Sequence, residues 1–341
     1  MDKIEALEKS IFCKRPDVST ELWNRLCRYY FKENGFLYFC SSGSTSSSLK
    51  VFEISFKKML GHAKEVNDFF EITNKDNWLL SLPSFYMGGL SILFRAYQNG
   101  ASVFSPHDLS INSIVKSCEE LNITHLSLVP RQIHDFLQLN LSFPKTVKMV
   151  FIGGDSLTID NFNALKDQPP IFFATYGASE VCSQVATSLI KEFNTFKVLP
   201  WNKVITNDTI EINSPFIYDR LFVIKDNEVE QQIPSHSIFK TTDRGVKSGD
   251  LLRVLGRSDR QIKCSGLFID LDLLEIELKK FFPNFDFYLC SIQSPQRGRE
   301  PVLITKSPIQ DSVLLEFKIY KSRVVDKFLY TESGKLKKVY L

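Results

Sequence analysis

The sequence has no C-x-x-C pair. Its seven cysteines, Cys13, Cys27, Cys40, Cys118, Cys182, Cys264 and Cys290, are odd in number and scattered. That spacing argues against a zinc site or a disulfide framework and suits reduced thiols in a reducing compartment. A long basic run is also missing before the extreme C-terminus, and 42 Lys+Arg against 39 Asp+Glu leave a formal charge of only +3. Electrostatics therefore give no case for nucleic acid as the main partner, and a compact, mildly charged ligand is the better default. The N-terminal MDKIEALEKSIFCKRPD lacks the apolar core of a signal peptide, and the longest apolar stretch, WLLSLPSFYMGGLSILF, is broken by Pro83, Gly88 and Gly89. The expectation is a soluble, cytoplasmic protein with no membrane span. Absent too are G-x-x-x-x-G-K-[ST], G-x-G-x-x-G, the zinc-protease and hydrolase-elbow patterns, and any internal repeat.

What is present is an ordinary globular composition, 341 residues with 43% hydrophobic and 24% charged, enough for a sizeable core divided into two domains. Apolar runs that read as buried strands (GFLYFC, NWLLSL, ASVF, THLSLV, KMVFIGG, PIFFATYG) alternate with helix-like segments at 51–72, 110–121, 130–139 and 158–167. That alternation predicts βαβ units and an α/β fold with a largely parallel sheet. After about residue 205 shorter pieces (TIEI, RLFVIK, EVEQQI, SIFKTT, LLRVLG) predict hairpins or a small distorted β-barrel. From about 259, RQIKCSG, LDLLEIELKKFF, FDFYLCSI, PVLITK, a helix near 309–319 and RVVDKFLY predict a small α+β domain.

Three small-residue loops each follow a strand candidate, where sheets of this kind bind ligands, and so could share one crevice. The first, CSSGSTSSSLKVF, lies between a strand and an expected helix and offers hydroxyl and backbone N–H donors without bulk, the chemistry a polyphosphate needs. A flexible serine linker fits that stretch equally well. In the second, KMVFIGGDSL, Gly153 and Gly154 leave room for a planar ring against the backbone, although such a pair is more often only a turn. The third, FFATYGASEVCSQVAT, places Tyr176, Gly177, Ser179 and Glu180 within five residues. An aromatic, a hydroxyl and a carboxylate suit ATP with Mg2+, while a helix N-terminus capped by Ser179 and matched to the dipole by Glu180 is the structural alternative. Further on, Asp243, Arg257, Asp259 and Lys263 surround short strands and Lys335 sits in YTESGKLKK. Taken singly, these read as surface ion pairs and a basic tail.

The order of the segments is specific. SSGSTSSSLKV, LPSFYMGGLSIL, THLSLVP, FIGGDSL, YGASE, FKTTD, GRSDRQIK and TESGK resemble the core motifs of the adenylate-forming (AMP-binding, acyl-CoA synthetase) superfamily, over residues 36–341. Within it, LPSFYMGGLSILFRA, VPRQIHDFL and YGASEVCSQVAT look most like the o-succinylbenzoate-CoA ligases of menaquinone biosynthesis. The resemblance implies a large AMP-binding domain over 1–258, with a helical leader at 1–35, and a small mobile C-terminal domain over 259–341 with its hinge at Asp259. It implies that Ser42, Gly43, Ser44 and Thr45 wrap the ATP β- and γ-phosphates, with Lys50 a substitute cation. Gly153, Gly154 and Asp155 would border the adenine, Tyr176 would stack on it beside Gly177, Ser179 would meet the α-phosphate and Glu180 would bind Mg2+. Asp243 would hold the ribose hydroxyls, Arg257 would assist at ribose and phosphate, and Lys335 would bridge the substrate carboxylate and the α-phosphate. Lys263 would be presented for coenzyme A, and Tyr86, Met87, Gly88, Ser183 and Gln184 would line the acid pocket. The implied reaction is attack of a carboxylate on ATP to give acyl-adenylate and diphosphate, then displacement of AMP by a thiol.

The sequence departs from the family pattern at three places. The cradle normally continues Thr-Gly-Lys-Pro-Lys-Gly, where this chain has Thr45, Ser46, Ser47, Ser48, Leu49 and Lys50. The usual histidine of LP-x-x-H is Tyr86, and the usual threonine before the acidic residue is Ser179. The cradle begins at residue 41, so most of the preceding N-terminal subdomain is expected to be missing, leaving a sheet edge for cover by, for instance, a second subunit in a homodimer. The alternatives are a ligase for another aryl or acyl acid, loading of a carrier protein, and a nucleotide-binding homologue that has lost turnover.

Overall fold

The computed structural model describes residues 11–329 apart from 17, 32–33, 41–48, 167, 190–192, 227, 235–236 and 284. The chain forms two compact units. The first comprises 1–205, 211–239 and 248–252, and the second 206–210, 240–247 and 253–341.

In the first unit all six expected strands of the alternating region are present. Asn77–Leu79, Ser102–Phe104, His125–Leu128, Met149–Ile152 and Ile171–Ala178 lie in one sheet, in the order 102, 77, 125, 149, 171 by first residue, every neighbouring pair parallel. Ser183–Leu189 and Thr195–Val198 extend it antiparallel. Helices Ile111–Glu120, Pro130–Gln138 and Ile159–Leu165 match the expected segments. Each starts on a residue that ends extended backbone: Ser110 and Thr158 accept N–H bonds from the first turn, and Pro130 sits at the first helical position. Ile114, Ile133, Phe136, Val150 and Ile152 bury their side chains together between these helices and the sheet.

The sixth strand, Phe36–Cys40, belongs to a second sheet, and here the structure corrects the sequence reading. The segment expected to be helical from residue 51 begins with a strand, Leu49–Ser55, and the helix starts only at Phe56, running to Phe69. Phe36–Cys40 pairs with this strand antiparallel, with Cys40 opposite Val51. The serine-rich segment therefore joins two strands rather than a strand and a helix. The reason is burial on both faces: Val51 packs on one side with Tyr38 and Phe222, and Phe52 and Ile54 on the other with Leu37 and Met87. Glu53, also buried, accepts from the Tyr38 hydroxyl at 2.8 Å and pairs with Arg220 at 3.1 Å. Arg220–Lys225 and Glu228–Gln232 form the hairpin expected there and join this sheet through Leu49–Ser55, while Ile11–Cys13 closes its other side.

A helix the sequence reading passed over, Met87–Asn99, follows Pro83. Gly88 and Gly89 look like breakers, yet both lie in its first turn. A Cβ at Gly89 would come within 2.3 Å of the Pro83 carbonyl, so this glycine lets the helix start hard against the chain that feeds it.

The second unit has the expected α+β character. Gln261–Cys264, Leu267–Asp270, Phe287–Ser294 and Gly298–Thr305 pair antiparallel, and Leu271–Phe281 and Asp311–Glu316 are helical. Ile262, Leu274, Leu278, Leu289, Leu303 and Leu314 form its core. The last strand among the described residues is Lys321–Val324, earlier and shorter than RVVDKFLY implies, because it pairs parallel with Val302–Thr305. All seven cysteines are free thiols, and no helix among the described residues is long and apolar enough to cross a membrane.

Candidate functional site

Two of the three loops meet at the carboxyl ends of neighbouring parallel strands, Met149–Ile152 and Ile171–Ala178. The Thr175 hydroxyl donates to the Ile152 carbonyl at 3.0 Å, and a Cβ on Gly153 would lie 2.3 Å from that hydroxyl oxygen. Gly153 is thus fixed by the approach of the next strand. Gly154, at φ +87°, has nothing nearer to a Cβ than Val129 Cγ1 at 3.7 Å, which leaves an open backbone face beside exposed Asp155. Tyr176 is half-buried, its ring 6.1 Å from that of Phe196.

The YGASE turn is not a helix N-terminus. The strand runs through Ala178 and ends in a single 3-10 turn, Ser179–Val181, with no side-chain cap. Ser179 therefore does not cap a helix and Glu180 does not answer a helix dipole, which removes the structural alternative for both residues. The turn is strained: Cys182 and Ser183 have φ of 60° and 106°. A Cβ at Gly177 would sit 1.7 Å from the Ser183 carbonyl oxygen, so the bulge between Tyr176 and Gly177 requires glycine. Tyr218 N–H donates to the Glu180 carbonyl at 2.9 Å, and burial together with the Glu180 charge holds the Tyr218 phenol above its usual range. Burial drives the Cys182 thiol far above the usual thiol range, which leaves it no role as a nucleophile.

Behind this turn lies a feature that the sequence reading missed. Gln184 is buried, its carbonyl 3.0 Å from His62 Nε2, and its side-chain oxygen accepts from Arg95 Nη2 at 3.1 Å. Arg95, on helix Met87–Asn99, is only 3% exposed and faces the rings of Phe151 and Trp78, its guanidinium carbon 5.5 and 6.0 Å from their centroids. Arg95 Nε and Gln184 Nε2 have no hydrogen-bond partner among the described residues. Burial lowers the Arg95 pKa to about 10 and that of His62 to about 3, so the arginine stays charged and the histidine neutral at pH 7. Of the expected pocket residues, Gln184 is part of the Arg95–Gln184 pair and the others lie on or beside the segments that carry it. Met87 shares a buried cluster with Cys182, Gly88 lies in the first turn of the Arg95 helix, and half-buried Ser183 adjoins Gln184. Half-buried Tyr86 precedes that helix, its ring 4.7 Å from Phe85. A lone arginine within an apolar run carries no motif, so nothing in the residue pattern singles out Arg95.

In the second unit Asp243, Arg257 and Asp259 come together. Arg257 Nε and Nη2 donate to the two Asp259 oxygens at 2.9 and 2.8 Å, and Nη1 lies 3.4 Å from Asp243. The bidentate bond to Asp259 raises the Arg257 pKa further. Lys263 stands apart, its Nζ 5.9 Å from the ring centroid of exposed Phe268, at a cleft of about 520 Å³ lined also by Gln261, Gln293, Arg297 and Arg299. Lys50 is exposed on strand Leu49–Ser55. Ser42, Gly43, Ser44, Thr45 and Lys335 lie outside the described residues.

No cluster of three or more His, Cys, Asp or Glu side chains able to hold a metal occurs among the described residues. Glu180 alone suits a Mg2+ ion whose shell is completed by phosphate oxygens and water, which fits a metal arriving with a nucleotide.

A model of the AMP-binding enzyme family matches residues 31–213. The chain is similar to 2-succinylbenzoate–CoA ligase of Bacillus subtilis strain 168, 25% identical over 188 residues that make up 53% of this chain and 38% of the relative. It is 24% identical over 273 residues to the enzyme of that name from Escherichia coli K12, covering 78% of this chain and 58% of the relative. The chain thus spans between about two fifths and three fifths of the length of these relatives. Among solved structures, o-succinylbenzoate coenzyme A synthetase (MenE) from Bacillus subtilis in complex with ATP and magnesium superposes with a TM-score of 0.70 at 20% identity, over 88% of this chain and 67% of that one. At such identity the likeness shows a shared fold. Since the family match runs over more than half of its length, the chain belongs to the AMP-binding enzyme family.

Proposed function

We propose that this chain works as an ATP-dependent acid–thiol ligase, forming an acyl-adenylate and then an acyl-CoA thioester, with o-succinylbenzoate as the acid. The observation that carries the choice of acid is the Arg95–Gln184 pair: a buried guanidinium whose Nε lacks an acceptor, beside an amide whose N–H donors are also unmet. Such a donor surplus suits an anion, because a carboxylate takes charge-assisted bonds from both groups and removes the cost of the unpaired cation. Gln184 lies four residues along the chain from Glu180. A diacid would thus set its remote carboxylate on Arg95 and its reacting carboxylate toward the strand-end loops, and o-succinylbenzoate is an aryl acid with two carboxylates.

In this reading Gly153, Gly154 and Asp155 border the adenine and Tyr176 stacks on it. Ser179 meets the α-phosphate, Glu180 holds Mg2+, Asp243 takes the ribose hydroxyls and Arg257 assists. The serine-rich segment with Lys50 cradles the outer phosphates, and Lys335 bridges the acid and the α-phosphate, where charge grows in the first transition state. Lys263, with Arg297 and Arg299 around the cleft, supplies cations for the phosphates of coenzyme A. Asp259 is the hinge that separates the two half-reactions. The bound ligands of the MenE structures, ATP with magnesium and the acyl-adenylate OSB-AMP, support this choice of substrates.

The test is diphosphate release from ATP and Mg2+ with o-succinylbenzoate, without and with coenzyme A, in the parent protein, Arg95→Met and Lys335→Ala. Release that depends on this acid, rises with coenzyme A, needs Lys335 and loses acid affinity in Arg95→Met bears the proposal out. Release with a monocarboxylic aryl acid that ignores Arg95→Met keeps the ligase and overturns the acid. ATP binding without release from any acid favours the nucleotide-binding homologue that the lysine-poor segment 45–49 allows.

A further inference from the structure

Arg257 is held at both ends. While Asp259 and Asp243 engage its guanidinium, its backbone N–H donates to Asp272 Oδ2 at 2.7 Å, in the first turn of helix Leu271–Phe281. The same carboxylate lies against Gly256: a Cβ there would come within 2.2 Å of Asp272 Oδ2 and 2.8 Å of Cγ, and the backbone has φ +132°. The glycine of GRSD is needed because Asp272 fills the space a side chain would take. The second Asp272 oxygen accepts from Arg260 Nε, and Arg260 Nη2 reaches Glu275 at 2.6 Å. One carboxylate therefore sets the backbone at 256–257 and the side chain at 260, and it does so on the rigid turn of a helix.

We propose that Asp272 is a positioning residue for nucleotide binding, acting through the Arg257 backbone to aim that guanidinium at the ribose and phosphate of a bound nucleoside triphosphate. The proposal rests on the reading of Arg257 as a nucleotide contact. A ligand phosphate must draw the guanidinium from a bidentate pair with Asp259. With the backbone pinned, only side-chain torsions change in that exchange. Without the pin, ordering of 256–257 is added to the cost of binding.

The experiment is calorimetric titration of ATP with Mg2+, with thermal unfolding in parallel, for the parent, Asp272→Ala, Asp272→Asn, Glu275→Ala, Arg257→Ala and the Arg257→Ala/Asp272→Ala double variant. Asp272→Ala is expected to weaken ATP about 10-fold. Asp272→Asn keeps an acceptor oxygen for the Arg257 N–H and is expected to recover most of that loss. Glu275→Ala, which breaks the Arg260 pair alone, leaves ATP affinity unchanged, and adding Asp272→Ala to Arg257→Ala gives no further loss. Should Asp272→Ala not fold, Gly256→Ala displaces the carboxylate from Arg257 and is expected to give the same weakening. Parent affinity in Asp272→Ala, or an equal loss with and without Arg257, overturns this proposal alone. A parent protein that does not bind ATP overturns it together with the nucleotide reading.

Discussion

Arg95 and Gln184 meet at 3.1 Å inside the first unit, and each keeps an N–H group with no acceptor among the described residues. A charge in that position is held at a cost to folding, since the guanidinium faces two aromatic rings and an amide and burial lowers its pKa. Arg95→Met, similar in length and apolar, is therefore expected to raise stability by about 1–3 kcal/mol. The same variant raises KM for the acid at least about 10-fold. Denaturant titration beside KM for acid and for ATP checks both, and a loss of stability would show that the guanidinium is better satisfied than its surroundings indicate.

Acid sensitivity follows from two buried histidines. Burial holds His62 at about 3 and His125 at about 4, each from an ordinary 6.5. Below pH 6.5 the unfolded chain binds protons that the folded chain refuses, so stability rises with pH in this range. It is complete above about 6.5 and falls as pH drops toward 4, by up to ~1.4 kcal/mol per pH unit for each histidine. Chemical unfolding at pH 5 and pH 7 should show this loss, and His62→Gln should make the difference between the two pH values smaller.

The glycines of the two strand-end loops should separate by what lies beside them. Gly177→Ala forces a Cβ onto the Ser183 carbonyl, a backbone group that cannot move aside, and is expected to cost about 3 kcal/mol or more. Gly154→Ala meets only Val129 Cγ1 at 3.7 Å and is expected to cost about 1 kcal/mol from its positive φ. Thermal unfolding of the two variants tests that order, and equal losses would contradict the packing described for the bulge.

Asp219 joins strand Leu49–Ser55 to the following helix. It accepts from Ser55 N at 2.7 Å and pairs with Lys58 at 2.7 Å, both groups largely shielded from solvent. Asp219→Ala should cost about 2 kcal/mol. Lys64→Ala, which breaks an exposed pair with Asp68 on the same helix, should leave the melting temperature unchanged.

The parallel half of the first unit was legible because fully buried strands read as short apolar runs and the helices between them show their caps. The loops GGDS and YGASE were legible for the same reason, as small residues directly after such runs. Strand Leu49–Ser55 was not, since Val51, Phe52 and Ile54 bury both of its faces and a strand with no polar side loses the period of two. Helix Met87–Asn99 was hidden by Gly88 and Gly89, whose task is close approach to Leu82 and Pro83, a tertiary fact. Asp272 was hidden more deeply, as an ordinary acidic residue in the first turn of a helix whose second partner is the backbone fifteen positions earlier.

Strand Ile171–Ala178 has a parallel neighbour on one side and an antiparallel neighbour on the other. The chain that leaves it turns straight back, so the end of a βαβ unit and the tip of a hairpin are one piece of backbone. Loops that end in helices can shift by fraying a turn, but this one moves only if rungs of its own ladder break. Under the proposed function, a nucleotide arriving at Ser179 and Glu180 would therefore meet a surface already in its final shape, and adaptation to different acids would fall to side chains such as those on the Met87–Asn99 helix.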